Sequence, residues 1–82
     1  MSKKYHVYIV QCKYGTYYAG YTDDLEKRIE THNAGKGAKY LRGKGPVKLV
    51  WYKGHKSKES AMKEEARIKR LKRHQKEELI NE

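Results

Sequence analysis

The alternation of apolar and polar positions along this chain changes period several times, and each change marks an element. From Tyr5 to Cys12, β-branched and aromatic residues predict a strand with Val7 and Ile9 on one side and Tyr8 and Val10 on the other. Lys13 to Thr16 contains Gly15 and reads as a short hairpin connection, and Tyr17 to Tyr21 resumes strand character with Gly20 near its end. These two strands are expected to pair antiparallel. The pattern then turns helical. Asp23 offers an N-cap with Glu26 three residues on, the arrangement that satisfies free N–H groups at a helix start, and the helix runs to about Asn33 with Gly35 as its stop. At about 100° per residue, Leu25, Ile29 and His32 share one stripe with Arg28 at its edge. That helix turns a histidine and an arginine toward its packed side.

Gly35 to Pro46 carries four glycines, a proline and four basic residues, the composition of a surface loop whose amides and cations suit phosphate contacts. Val47 to Lys53 reads as a third strand, with Val47, Leu49 and Trp51 on one face, Val50 and Tyr52 on the other, and Gly54 as its end. Ser57 can cap a further helix. Nothing between Lys58 and Ile80 is a strong breaker, so one long helix or two shorter ones both satisfy the pattern. Around it Ala61, Ile68, Met62 and Ala66 form a loose apolar arc, and Glu65 lies inside that arc, roughly 40° from Ala61. A carboxylate in such a place calls for a reason.

Composition sharpens this outline. A chain of 82 residues makes one domain, residues 1–82, with a thin core. Hydrophobic and charged residues each make up 37%, and the rings are eight Tyr and one Trp with no Phe, so nearly every aromatic brings a polar handle. The formal charge of +10, from 20 Lys and Arg against 10 Asp and Glu, points to polyanionic partners. A membrane surface is the poorer match, because the C-terminal helix lacks a strong apolar face, and the longest apolar run, Val7 to Val10, cannot span a bilayer. Cys12 alone makes neither an internal disulfide nor a zinc site, and a cytoplasmic location is the default expectation. No long apolar stretch supplies a docking face, so no obligate protein partner is expected.

The predicted strands contain no Asp or Glu; all ten acids fall on helices or their ends. That departs from two-metal nuclease sites, which gather several carboxylates around a metal pair. No nucleophile elbow, phosphate loop of the GxxxxGK type or zinc spacing is present either. What remains is tyrosine hydroxyls on a sheet face, Arg28 and His32 on a helix, and Glu65. Simpler uses compete: Tyr8 and Tyr18 as packing across a hairpin, Arg28 paired with Asp24, His32 as a core histidine, and Glu65 paired with Lys69.

In this context the chain resembles the GIY-YIG nuclease domain family. His6-Val7-Tyr8 stands at the first motif, keeping its tyrosine without the glycine and isoleucine. Tyr18-Ala19-Gly20 stands at the second. The tract TDDLEKRIETHNAGKGAKYLRGKGPVKLV is similar to small single-domain bacterial and archaeal members. Tyr8, Tyr18 and Arg28 follow at intervals of ten, then His32 after four, then a helical glutamate.

The resemblance implies an α+β fold, a three-stranded antiparallel sheet flanked by three helices in the order β-β-α-β-α-α, with the last stretch broken near Lys72 to His74. It implies divalent-metal-dependent hydrolysis of DNA phosphodiesters. Glu65 would hold Mg²⁺ or Mn²⁺, Arg28 the scissile phosphate, Tyr8 or Tyr18 would help deprotonate the attacking water, and His32 would orient water or relay a proton. Lys36, Lys39, Tyr40, Arg42, Lys44 and Lys69 are the expected nucleic-acid contacts. Many family nucleases use a late asparagine; Asn81 is the one late candidate here and receives no role. With no room for a recognition domain, sequence specificity is expected to be low, and RNA stays open beside DNA. The alternative is a nucleic-acid-binding module on the same scaffold without turnover.

Overall fold

The computed structural model describes residues 4–34 and 46–82. Its elements are β1 (Tyr5–Gln11), β2 (Tyr17–Thr22), α1 (Leu25–Asn33), β3 (Lys48–His55), α2 (Lys58–Lys69) and α3 (Arg73–Ile80). The sheet order is β2-β1-β3, with β1 antiparallel to both neighbours. This is the expected three-stranded sheet with three helices.

The central strand separates two small cores. Val7 and Ile9 join Ala19, Ala61 and Ile68 on the face covered by α2, while Tyr8, Val10, Cys12 and Val47 pack with Leu25, Ile29 and Leu49 on the face covered by α1. Strict alternation on a strand covered on both sides yields this division, and each fully buried aliphatic side chain contributes about 1.5–3 kcal/mol. The β1–β2 hairpin closes through Gly15 N–H to the Cys12 carbonyl at 2.9 Å and Cys12 N–H to the Thr16 carbonyl at 3.0 Å. Gly15 holds φ at 87°, a left-handed conformation that favours glycine.

Several boundaries differ from the sequence pattern for physical reasons. Asp24, not Asp23, caps α1, accepting from the Lys27 N–H at 3.1 Å, so the expected pairing with Glu26 is out of register by one residue. Gly35, the expected stop, lies outside the described residues, and Ala34 is the C-cap. In β3 the register slips between Ile9 and Val10: Val10 faces Leu49, but Ile9 faces Trp51, with Val50 inserted as a bulge. The bulge flips the alternation. Leu49 therefore packs on the α1 side and Trp51 on the α2 side, and β3 continues through Gly54.

Ser57 caps α2 as expected, accepting from the Ser60 N–H at 3.2 Å. On α2 only Ala61 and Ile68 are buried; Met62 is 46% exposed and Ala66 is also exposed. The inward stripe is narrower than the expected arc, and Glu64 and Glu65 flank it on either side. The last stretch breaks at residues 70–72, slightly before the Lys72 to His74 expected. There the Arg70 and Leu71 N–H groups turn back three residues, to Arg67 and Ile68, tightening the final turn. A straight helix from Lys58 to Ile80 would measure about 35 Å, whereas a seven-residue strand measures about 24 Å. The bend instead returns Leu71, Leu79 and Ile80 to the core. Asn33 ties the end of α1 to the approach of β3, its Oδ1 accepting from the Val47 N–H at 2.6 Å.

One contact constrains the sheet more than any other. Gly20 lies opposite Tyr8, and a Cβ at Gly20 would sit 2.5 Å from the Tyr8 hydroxyl oxygen. Gly20→Ala must therefore displace the phenol, at a cost of about 1–3 kcal/mol for an overpacked site. Thermal unfolding should show a midpoint lowered by roughly 4–8 °C per kcal/mol. In a Tyr8→Leu background the same substitution should cost clearly less; equal cost in both backgrounds would dissociate Gly20 from Tyr8.

Candidate active site

The site is built outward from β1. Tyr8 is 2% exposed, and its hydroxyl lies 2.9 Å from His32 Nε2 on α1. Burial pushes the Tyr8 phenol up to about 12; Arg28 opposes that shift, while Tyr18 and Glu65 add to it. His32, also 2% exposed, is held below its ordinary value of 6.5 by burial and then by the Arg28 charge. Both causes favour neutral forms, so the contact joins a neutral phenol to a neutral imidazole. The Tyr18 ring meets His32 edge-on, with centroids 5.9 Å apart. The histidine thus sits behind both motif tyrosines.

In front of them opens a cleft of about 450 Å³ lined by Tyr8, Tyr18, Gly20, Arg28 and Glu65, with Tyr5, Tyr21, Thr22, Asp23 and Lys58 completing its walls. Gly20 leaves the β2 backbone bare where the Tyr8 hydroxyl reaches past it. Arg28 is exposed at the cleft rim. Among the described residues it forms no ion pair with Asp24, whose carboxylate caps α1. Glu65 has a side chain 21% exposed and lies 3.8 Å from Lys69 Nζ, whose ammonium also sits 5.7 Å from the Tyr18 ring centroid. The expected Glu65–Lys69 pair does form, and at this length and exposure it is weak enough to yield to a stronger ligand.

The donor set suits only certain metals. Among the described residues no group of three or more His, Cys, Asp or Glu gathers to hold an ion, which does not match the closed sites that zinc prefers. A half-buried carboxylate in a roomy polar cleft does match Mg²⁺ or Mn²⁺, hard cations that keep several waters and take one or two carboxylates with substrate phosphate. Glu65 is the residue that would hold such an ion.

Of the residues expected from sequence, Tyr8, Tyr18, Arg28 and Glu65 share the cleft, His32 lies directly behind it, and Lys69 borders it. Lys36, Lys39, Tyr40, Arg42 and Lys44 lie outside the described residues. Asn81 caps the end of α3 and is exposed. Sequence reasoning did not single out Tyr5, Tyr21 or Lys58. A signal for Lys58 existed: it stands seven residues before Glu65, nearly two helical turns, and so shares its face. Tyr5 and Tyr21 sit on the Val7 and Ala19 side of their strands, and only the three-dimensional cleft joins them to Tyr8.

The chain is similar to known proteins over nearly its whole length. Residues 4–78 match the model of the GIY-YIG catalytic domain. A UPF0213 protein of Streptococcus pneumoniae is 51% identical over 82 residues, covering 100% of this chain and 83% of its own length. A UPF0213 protein of Halobacterium salinarum is 53% identical over 76 residues, covering 93% of this chain and 99% of its own length. The solution structure of the UPF0213 protein BH0048 from Bacillus halodurans superimposes with a TM-score of 0.62 at 49% identity, covering 95% of this chain and 83% of that one. The solution structure of the protein EF2693 from E. faecalis gives a TM-score of 0.66 at 37% identity over 96% of this chain and 84% of that one. With tyrosines, arginine and glutamate converging on one cleft of the expected sheet, the chain belongs to the GIY-YIG family of nuclease catalytic domains, among its small bacterial and archaeal members.

Proposed function

We propose that this protein is a divalent-metal-dependent endonuclease that hydrolyses DNA phosphodiester bonds with low intrinsic sequence specificity. The observation that carries the reading is the convergence of Tyr8, Tyr18, Arg28 and Glu65 on one cleft, with the Tyr8 hydroxyl bonded to a neutral His32. The net charge of +10 supplies the field that draws a polyanion to it.

In this reading Arg28 binds the scissile phosphate. Its planar fork of donors matches phosphate oxygens and stays charged at any working pH. Glu65, released from Lys69, would hold Mg²⁺ or Mn²⁺, and the ion would supply neutralisation of phosphoryl charge and acidification of water. Tyr8 cannot act as a free phenolate at neutral pH, because burial keeps its proton in place. It can act as a relay. The Tyr8 oxygen accepts a proton from the attacking water as its own proton passes to His32 Nε2, the water oxygen bonds to phosphorus, and the bond to the leaving sugar oxygen breaks. His32 then returns the proton through Tyr8 to solvent or to the leaving oxygen. Tyr18, beside the Lys69 ammonium, shapes the other wall and positions the water.

A binding module without turnover is the second reading, favoured by the same raised Tyr8 pKa and by the engagement of Glu65 with Lys69. Cleavage of labelled DNA and RNA with Mg²⁺, Mn²⁺ or EDTA separates the two. Metal-dependent cutting is expected from the native protein, with Glu65→Ala and Arg28→Ala each reduced by about a hundredfold or more while the fold is kept. Binding without cutting, indifferent to metal, would select the module.

A pH profile checks the relay. His32 must be neutral to accept, and its pKa is depressed below 6.5, so the rate should stay high down to about pH 6.5 and fall only below it. In His32→Gln that acid limb should vanish along with most of the rate; a limb that survives would assign the titration to another group. Folding stability follows the same sign. Below pH 6.5 the unfolded chain takes up the proton that buried His32 resists, so stability should decline as pH falls through that window.

A further inference from the structure

We propose a second phosphate subsite at the corner formed by Lys4, His55 and Lys56, which takes a phosphodiester of the same nucleic-acid strand after it leaves the cleft past Tyr5 and Lys58. The inference rests on the nuclease reading above and adds the direction in which the strand runs.

Two cavities approach each other at this corner. Tyr5 and Lys58 line the cleft, and a hollow of about 220 Å³ is lined by Lys4, Gly54, His55 and Lys56. Their linings adjoin: Lys4 directly precedes Tyr5, His55 is the cross-strand partner of Tyr5 on β3, and Lys56 and Lys58 flank Ser57, the N-cap of α2. A chain leaving the cleft on this side therefore passes over the hollow.

The corner is basic and its cations are uncommitted. Lys4, Lys56 and Lys58 are exposed, and none has an ion-pair partner among the described residues. The nearby Glu64 carboxylate is taken up by Arg67 at 2.7 Å, and Glu59, also exposed, lies on the first turn of α2. The histidine is fixed in place. The Ser60 hydroxyl lies 3.1 Å from the Ser57 carbonyl and 3.2 Å from His55 Nδ1, a contact that holds the ring against the start of α2. His55 Nε2 is left buried without a hydrogen-bond partner among the described residues. Gly54 forms an open floor, since a Cβ there would meet only the edge of His6 at 3.9 Å. Cations over a rigid, backbone-exposed floor suit a sugar–phosphate backbone and read no base.

The test measures binding, so it does not depend on turnover. Labelled dodecamer DNA, single-stranded and duplex, and a single-stranded dinucleotide are titrated in EDTA across a salt series against the native protein, Lys4→Ala/Lys56→Ala and Arg28→Ala, with thermal unfolding as a check on folding. For the dodecamer, the double variant should bind more weakly, with a log–log salt slope shallower by about 1. For the dinucleotide, too short to occupy the cleft and the corner together, the double variant's affinity should match that of the native protein, whereas Arg28→Ala should weaken both lengths. In the native protein the His55 ring resonances should move with the dodecamer and not with the dinucleotide. A double variant with native affinity and slope on the dodecamer would overturn the subsite, as would equal losses on both lengths. Native protein that binds neither length would overturn the nuclease reading and the subsite together, whereas native binding with an unaltered double variant removes the subsite alone.

Discussion

The structure depends on a crossing of three residues: a phenol on the central strand, a glycine opposite it on the edge strand, and a histidine on the covering helix. Tyr8 is nearly fully buried, yet its hydroxyl reaches the cleft wall because Gly20 presents no Cβ in its path. His32 gives that hydroxyl a partner 2.9 Å away, without which a buried O–H would cost about 1–3 kcal/mol. The register of the hairpin, the position of α1 and the shape of the cleft all have to agree for this crossing to exist. Stability and the proposed chemistry thus rely on the same three positions.

Electrostatics divides the molecule in a way that suits its proposed chemistry. The body is strongly basic, but the pair at its centre is neutral: burial keeps the proton on Tyr8 and off His32. Charge enters the cleft from its walls, with Asp23 just before α1, Arg28 on α1, and Lys58 and Glu65 on α2, the last beside Lys69. A polyanion drawn in by the field meets an arginine at the rim and a carboxylate whose weak lysine partner can give way. Few carboxylates are needed when substrate phosphate supplies the remaining charge around a hydrated cation.

Much of this was legible in the sequence because it follows from short-range rules. The two faces of β1, the antiparallel hairpin, the Ser57 cap and the inward stripe of Leu25, Ile29 and His32 all come from periods of two and 3.6. Tyr8, Tyr18, Arg28, His32 and Glu65 stood out through spacing and resemblance, and the cleft brings four of them together with His32 behind. What escaped was set at longer range. The bulge at Val50 comes from pairing with β1, which places Leu49 and Trp51 on opposite faces against the simple alternation. The break at residues 70–72 lacks a breaker residue because it is imposed by the length of the sheet and by burial of Leu71, Leu79 and Ile80. Met62 matched the arc but not the contact, since α2 touches the sheet along a stripe only about as wide as Ala61 and Ile68.

The central claim is that Glu65 and the tyrosine–histidine pair form one metal-binding, phosphate-cutting site. Paramagnetic line broadening tests it most directly: small increments of Mn²⁺ are added to isotopically labelled protein and the amide signals are followed residue by residue. The account predicts broadening that begins at Glu65 and spreads first to Tyr8, Tyr18 and Arg28. Broadening centred on other acids, such as Glu77 and Glu78 on α3, or none in the cleft at any increment, would contradict it.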